Sequence, residues 1–231
     1  MIKFYKSSKM FYRFYAFAFF LYLFFSCCQL DAIGLNNDLN KAFFSAVMNR
    51  DLLLMKKYLK EGADINYIDQ ETKLTAISYA SYSGDIEVVK FLICSGANIH
   101  GDSQNPNSPI YFAILNDNIQ IVTLLLDNGV DPNFTWDEGG GTLLTNAAQM
   151  GKLEVVKLLI EKGANINYCG KGKHSPLYRS VVHGRYDVME YLLGRGAILN
   201  KNDKITLNEL QWFDNPGNKK IFEILKSKNA Y

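Results

Sequence analysis

Three histidines and one glycine-rich stretch are the residues of this chain with the most capacity for chemistry. His100, His174 and His183 could ligate a metal or transfer a proton, but none pairs with a second histidine or a carboxylate at metal-ligand spacing. The stretch DEGGGT, residues 137–142, lacks the Gly-Lys-Ser or Gly-Lys-Thr ending of a phosphate-binding loop. We interpret the histidines as solvated loop residues and the glycine-rich stretch as a flexible connector.

Nucleophilic catalysis has no support in the sequence either. There is no Gly-x-Ser-x-Gly motif, and no cysteine and histidine are arranged for attack on a substrate. The four cysteines make no Cys-x-x-Cys pair and no even framework across the folded part. We therefore predict a protein that is not an enzyme, that needs no cofactor and no metal, and that is not held together by disulfides.

The charge balance argues against a nucleic-acid partner. The chain has 25 basic and 23 acidic residues, which gives a formal net charge of +2. Four of the basic residues lie within residues 1–26, which contain no acid, so the remainder is slightly acidic. A protein that binds nucleic acid through bulk electrostatics presents a basic face, and we predict no such partner here.

The N-terminus, residues 1–26, predicts an export signal or a membrane anchor. Basic residues precede an uncharged apolar run over residues 14–25, which is shorter than the roughly 20 residues of a membrane-spanning helix. Ser26 and Cys27 resemble the end of a bacterial lipoprotein signal, which implies lipidation of Cys27, although Phe24 stands where that pattern usually has leucine. Cleavage with secretion and retention as an anchor are the alternatives. We expect an exported protein attached to the cell envelope, with secretion as the next option.

The rest of the chain repeats one pattern every 33 or 34 residues. A glycine followed by alanine or valine ends each copy, after a run of apolar residues at helical spacing such as the run that begins at Ile86. These glycines are Gly62, Gly96, Gly129, Gly163 and Gly196. Twelve residues before them stand polar corners, at Arg50, Gly84, Asp117, Gly151 and Gly184. The apolar stripe is too broad for a lone surface helix, so each copy must be covered by its neighbours.

A second, shorter helix is predicted before each corner. Serine or threonine at its start can cap the open backbone N–H groups, and these residues are Thr75, Ser108, Thr142 and Ser175. Pro109 and Pro176 come next, where the missing N–H costs nothing. Small residues near the middle of the helix allow close approach of its partner.

These features together resemble the ankyrin repeat. The short helix with its Thr-Pro-Leu-like start, the glycine corner, and the Val-Val-x-Leu-Leu helix with its Gly-Ala-Asp-x-Asn tail recur over residues 39–229. The resemblance implies an all-α solenoid of about six stacked repeats, each a helix-turn-helix with a connector finger, the terminal ones capping. We divide the chain into a signal or anchor (1–26), a short linker (27–38) and an ankyrin-repeat domain (39–229).

The resemblance also implies a protein partner. Ankyrin proteins usually bind through connector tips and the exposed face of the short helices, and exposed aromatic residues are favoured anchors of interfaces. The residues of this chain at those places are Tyr67, Tyr82, Leu115, Asn116, Phe134, Trp136, Met150, Arg179 and His183. Trp136 is the first choice, whereas Phe134 and Tyr67 have the alternative of packing between neighbouring connectors.

We therefore expect a monomeric, non-enzymatic scaffold for protein–protein interaction, exposed from the cell envelope, that binds a partner protein through its concave helix and finger surface. Its contact with the membrane would be made by the N-terminal segment. The alternatives are an envelope module that binds a ligand or accompanies an enzyme, and a structural spacer.

Overall fold

The computed structural model describes residues 36–100, 108–135, 141–168, 174–199 and 203. These ranges contain α1 (36–48), α2 (Leu52–Lys60), α3 (Ala76–Ser83), α4 (Ile86–Cys94), α5 (Pro109–Leu115), α6 (Ile119–Asp127), α7 (Leu143–Met150), α8 (Leu153–Glu161), α9 (Pro176–Val182) and α10 (Tyr186–Gly194). Helices α1 and α2 belong to one compact unit, which ends at Tyr67, and α3 to α10 belong to a second, which begins at Ile68. The all-α fold of paired helices is confirmed.

Helices α3, α5, α7 and α9 begin where the sequence predicts. Thr75, Ser108, Thr142 and Ser175 each accept a hydrogen bond from the backbone N–H three residues later. Pro109 and Pro176 occupy the first turn of their helices. The predicted N-terminal caps are therefore confirmed in all four short helices of the second unit.

The corners between paired helices share one backbone conformation. Gly84 and Gly151 each have a φ of 77°, and Arg50 and Asp117 reach 59° and 60° at the same place in their copies. Side chains resist this left-handed conformation, so its presence at arginine and aspartate shows that the turn itself requires it. The predicted corners are thus confirmed.

The second unit consists of four helix pairs stacked in chain order. The short helices α3, α5, α7 and α9 contact one another in succession, and so do the long helices α4, α6, α8 and α10. Eight apolar residues of the long helices are at most 1% exposed: Val89, Leu92, Val122, Leu125, Val156, Leu159, Met189 and Leu192. The prediction that neighbouring copies cover the broad apolar stripe is confirmed here. With α1 and α2 the described chain has five pairs, and the sixth predicted copy lies outside the described residues.

Asparagine side chains fasten one connector to the next in the second unit. Asn133 Nδ2 donates to the carbonyl oxygen of Gly163 at 3.1 Å, and Asn133 Oδ1 accepts from the backbone N–H of Asn165 at 2.8 Å. Asn167, four residues after Gly163, accepts from the N–H of Ile198 in the same way at 2.9 Å. The connectors are therefore held in register by the repeated asparagine of the Gly-Ala-Asp-x-Asn tail.

The predictions for the N-terminus fall on residues 1–35, outside the described part of the chain. The export signal, the anchor and the lipidation of Cys27 stay predictions, as does the domain boundary at residue 39. Helix α1 is described from residue 36 onward. A search of the described helices finds none with the length and apolar character needed to cross a bilayer.

Candidate partner-binding surface

Five predicted contact residues lie at the C-terminal ends of the short helices. Tyr82 and Leu115 are 49% and 38% exposed, Asn116 is exposed, and Met150 and His183 are half-buried. Because α3, α5, α7 and α9 contact one another in chain order, these residues follow each other along one row. We call these five residues the ridge.

Contacts between neighbouring repeats fix the first part of the ridge. The Tyr82 ring meets the Phe112 ring edge-on, at a centroid distance of 5.7 Å and an angle of 84°, and Phe112 meets Tyr111 at 5.8 Å. Asn116 Nδ2 donates to the backbone carbonyl oxygen of Tyr82 at 2.6 Å. Tyr82 is thus held by its ring and its backbone while about half of its surface remains exposed.

Further side-chain bonds join successive repeats beside the ridge. Asn118 Nδ2 donates to the carbonyl oxygen of Ser81 at 3.3 Å, across the interface between the α3 and α5 repeats. Lys152 Nζ lies 3.6 Å from the Asp117 carboxylate, across the next interface. Since these bonds act between repeats, they limit the freedom of the short-helix ends to move separately.

At the third interface, between the repeats of α7 and α9, the side chain of Arg185 lies against the corner residue Gly151. Arg185 Nε donates to the carbonyl oxygen of Gln149 at 3.0 Å. A Cβ atom at Gly151 would lie only 2.8 Å from Arg185 Cδ. The bond therefore depends on the absence of a side chain at Gly151.

Two predicted contact residues, Arg179 and His183, contact each other at the end of α9. His183 Nδ1 is 3.0 Å from the carbonyl oxygen of Arg179, which accepts a hydrogen bond when Nδ1 carries the proton. Both side chains are half-buried. His183 thus also holds the end of α9.

Two of the three predicted contact residues in the connectors, Tyr67 and Phe134, lie in the described part of the chain. The Tyr67 hydroxyl donates to Asn37 Oδ1 at 3.2 Å within the first unit, so it holds its connector to α1. Phe134 is half-buried. Trp136, the first choice from the sequence, lies outside the described residues. Tyr67 belongs to the first compact unit and the ridge to the second.

A serine, a histidine and an aspartate meet at the start of α9, which the sequence did not predict. Ser175 Oγ donates to Asp203 Oδ2 at 2.5 Å, and the Ser175 backbone N–H donates to Oδ1 at 3.2 Å. His174 Nδ1 lies 3.3 Å from Asp203 Oδ1, and its ring stacks on Tyr178 at a centroid distance of 4.2 Å. The interpretation of His174 as a solvated loop residue is therefore wrong, because its ring is engaged on two sides.

This cluster is structural rather than catalytic. A serine nucleophile must be accessible to its substrate, whereas Ser175 is 0% exposed and its hydroxyl is held by the Asp203 carboxylate. Its Oγ also accepts from the backbone N–H of Tyr178 at 3.1 Å, so it caps α9. Among the described residues, no group of three side chains is placed to hold a metal ion.

Stacked helix pairs with capped short helices define an all-α repeat protein. The family profile described as ankyrin repeats in three copies matches residues 43–136 and 135–203. Because these matches cover more than half of the chain, the chain belongs to the ankyrin-repeat family.

Relatives contain the repeats in very different settings. The putative ankyrin repeat protein YahD of Escherichia coli (strain K12) is 28% identical over 194 residues, which are 81% of this chain and 96% of that protein. The ankyrin repeat and KH domain-containing protein mask-1 of Caenorhabditis elegans is 34% identical over 126 residues, 54% of this chain but 5% of that protein. Palmitoyltransferase AKR1 of Lachancea kluyveri is 25% identical over 155 residues, 66% of this chain and 21% of that protein.

Proposed function

We propose that this chain is a non-enzymatic scaffold that binds a partner protein through the ridge. The observation that carries the proposal is the exposure of two large apolar side chains, Tyr82 at 49% and Leu115 at 38%, on adjacent helices joined by cross-repeat bonds. Apolar anchors on a preorganised surface bind with a small ordering cost. The ankyrin-repeat fold, which generally serves protein–protein interaction, supports the same function.

We propose that the remaining predicted contact residues also take part in partner binding. Asn116 and His183 add polar side chains beside the two apolar anchors, and Met150 adds a further apolar one. Polar groups around an apolar centre are the usual anatomy of an interface. We propose Tyr67, Phe134, Trp136 and Arg179 as outer contacts. We expect the chain to act as a monomer.

An enzymatic role has less support. The palmitoyltransferase relative matches this chain over 21% of its own length, so the likeness concerns a part of that protein. On this chain the Ser175 cluster is buried and committed to capping α9. We therefore keep the scaffold as the proposed function.

Single substitutions on the ridge should weaken partner binding without unfolding the protein. A tagged full-length chain would first be used to isolate a stoichiometric partner, and the affinity of that partner would then be measured by calorimetry. We expect Tyr82→Ala and Leu115→Ala each to weaken binding by about 30-fold, the loss of an interface anchor worth ~2 kcal/mol.

Ile198→Ala is the matched control for these variants. Ile198 is an apolar residue that is 58% exposed, lies in the connector after α10, and is neither one of the ridge residues nor one of the predicted connector contacts. We expect its partner affinity to equal that of the parent chain. Equal affinity for all three variants would remove the ridge from the binding site, and a co-purified small ligand in place of a protein would favour the ligand-binding alternative.

We also infer that the N-terminal segment exports the chain and holds it at the cell envelope. The support is the order of four basic residues, an apolar run over 14–25, and Ser26 before Cys27. We expect mass spectrometry of the mature N-terminus, isolated from membranes, to find a diacylglyceryl group on Cys27. An intact Met1 would identify the segment as a retained anchor, and an unmodified new N-terminus in the medium would contradict attachment.

A further inference from the structure

The exposed stripe of α2 differs from that of the long helices α4 and α8. In α4 the second helical residue, Glu87, pairs with Lys90 three residues later at 2.9 Å, and α8 has an equivalent pair at 2.7 Å. The corresponding residues of α2 are Leu53 and Lys56. Leucine therefore replaces the acid, and the lysine loses the carboxylate that its counterparts have at this place.

Three consecutive leucines at the start of α2 are exposed. Leu53 is 79% exposed, and Leu52 and Leu54 are 37% and 38% exposed. The later residues that correspond to Leu54 are at most 2% exposed: Val88, Ile121, Val155 and Val188. Complete burial of a leucine is worth roughly 1.5–3 kcal/mol, so three adjacent exposed leucines leave a considerable apolar area in contact with water.

Three lysines continue the same stripe. Lys56, Lys57 and Lys60 follow Leu53 by three, four and seven residues, which places all four on one face of the helix. The three lysines are exposed, and α2 itself contains no acid. Lys57 lies 3.9 Å from Glu61, and an ion pair this exposed contributes little. The face thus combines apolar side chains at one end with three cations.

We propose that this face of α2, formed by Leu53 with Lys56, Lys57 and Lys60 and flanked by Leu52 and Leu54, rests on an anionic phospholipid surface. The leucines would enter the boundary between headgroups and acyl chains, and the lysine ammonium groups would contact lipid phosphates. Exposed apolar residues beside lysines are the composition of segments that bind the membrane interface, and each lysine near an anionic surface adds about 1 kcal/mol.

The position of this face in the chain favours a bilayer over an acidic protein. The proposal rests on the N-terminal membrane attachment proposed above. Both proposed attachment points, the end of the apolar run at residue 25 and Cys27, lie at most 11 residues before residue 36, from which α1 is described, so the intervening residues can extend at most roughly 40 Å. Attachment would therefore keep α2 close to headgroups at a high effective concentration. Protein interfaces, by contrast, are depleted in lysine.

Quenching by brominated lipids tests this placement. The full chain would be reconstituted in vesicles of phosphatidylcholine with phosphatidylglycerol, with or without bromine on the acyl chains. In Leu53→Trp the new indole replaces an exposed side chain, so the core is undisturbed. After subtraction of the emission of the two native tryptophans, we expect on the order of half of the added emission to be quenched by the brominated lipid.

Gln120→Trp is the matched control, because Gln120 is the second residue of α6 and is exposed. We expect its added emission to be unaffected by bromine. Equal emission of Leu53→Trp in both lipids, with the chain still floating with the vesicles, would overturn the α2 proposal and leave the attachment standing. Failure of the parent chain to float would overturn both. A blue shift without quenching would mean that protein, such as a second copy, covers Leu53, and would also overturn the proposal.

Discussion

Ser175→Ala should lower the free energy of unfolding by about 3 kcal/mol, measured by urea denaturation followed by circular dichroism. Loss of an N-terminal cap costs ~1 kcal/mol, and here the Tyr178 N–H loses its acceptor. The Asp203 carboxylate, whose side chain is 0% exposed, also loses the hydroxyl donor 2.5 Å away. A buried charged group that loses a hydrogen bond costs roughly 1.5–3 kcal/mol.

Ser108→Ala is the matched control for this substitution. Ser108 is also 0% exposed and caps α5 through the Tyr111 N–H, while the sequence position that corresponds to Asp203, 28 residues after the capping serine, is occupied there by the uncharged Trp136. We expect a loss of about 1 kcal/mol, the value of the cap alone.

A double-mutant cycle separates the cap from the carboxylate. In an Asp203→Asn background the buried charge is gone, so Ser175→Ala should cost about as much as Ser108→Ala. If Ser175→Ala costs the same in both backgrounds, the carboxylate does not depend on the serine hydroxyl, and the assigned role of Asp203 is incorrect.

Gly151→Ala should lower the free energy of unfolding by about 2–3 kcal/mol in the same assay. The residue has a φ of 77°, and a side chain in this conformation costs roughly 1–2 kcal/mol. The added Cβ would also lie 2.8 Å from Arg185 Cδ and displace the side chain that donates to Gln149. Loss of that hydrogen bond adds about 1 kcal/mol.

Gly184→Ala separates these two causes. Gly184 has a φ of 64°, and a Cβ there would meet nothing within 4 Å. We expect a loss of about 1 kcal/mol from the backbone alone. Equal losses for the two variants would show that Arg185 can move aside at no cost, and that the bond across the corner contributes nothing to the stack.

The features that repeat along the chain could be predicted because each depends on local physics. Thr75 and Ser108 cap helices because their hydroxyls reach the N–H three residues later, and Gly151 turns the chain because glycine lacks a side chain. Exposure of Tyr82 and Leu115 followed from their place at the end of a short helix. Any of these features could be assigned within a single copy of the pattern.

Contacts between copies could not be predicted in the same way. Asp203 stands 28 residues after Ser175, and no spacing rule connects a loop aspartate with a capping serine. The bond from Asn116 to the Tyr82 carbonyl and that from Arg185 to Gln149 span 34 and 36 residues, so they depend on the register between neighbouring repeats. The solvated interpretation of His174 failed for this reason.

The amino-acid sequence by itself determined the repeat, its helices, their caps and corners, because these arise from backbone geometry and short-range hydrogen bonding. The tertiary structure decided which side chains meet across repeats and which remain exposed. It buried Val88 in α4 and left the corresponding Leu54 of α2 38% exposed, although both are apolar residues at the same place in the pattern. Burial is a property of the neighbour that covers a residue, and a residue's type alone does not specify that neighbour.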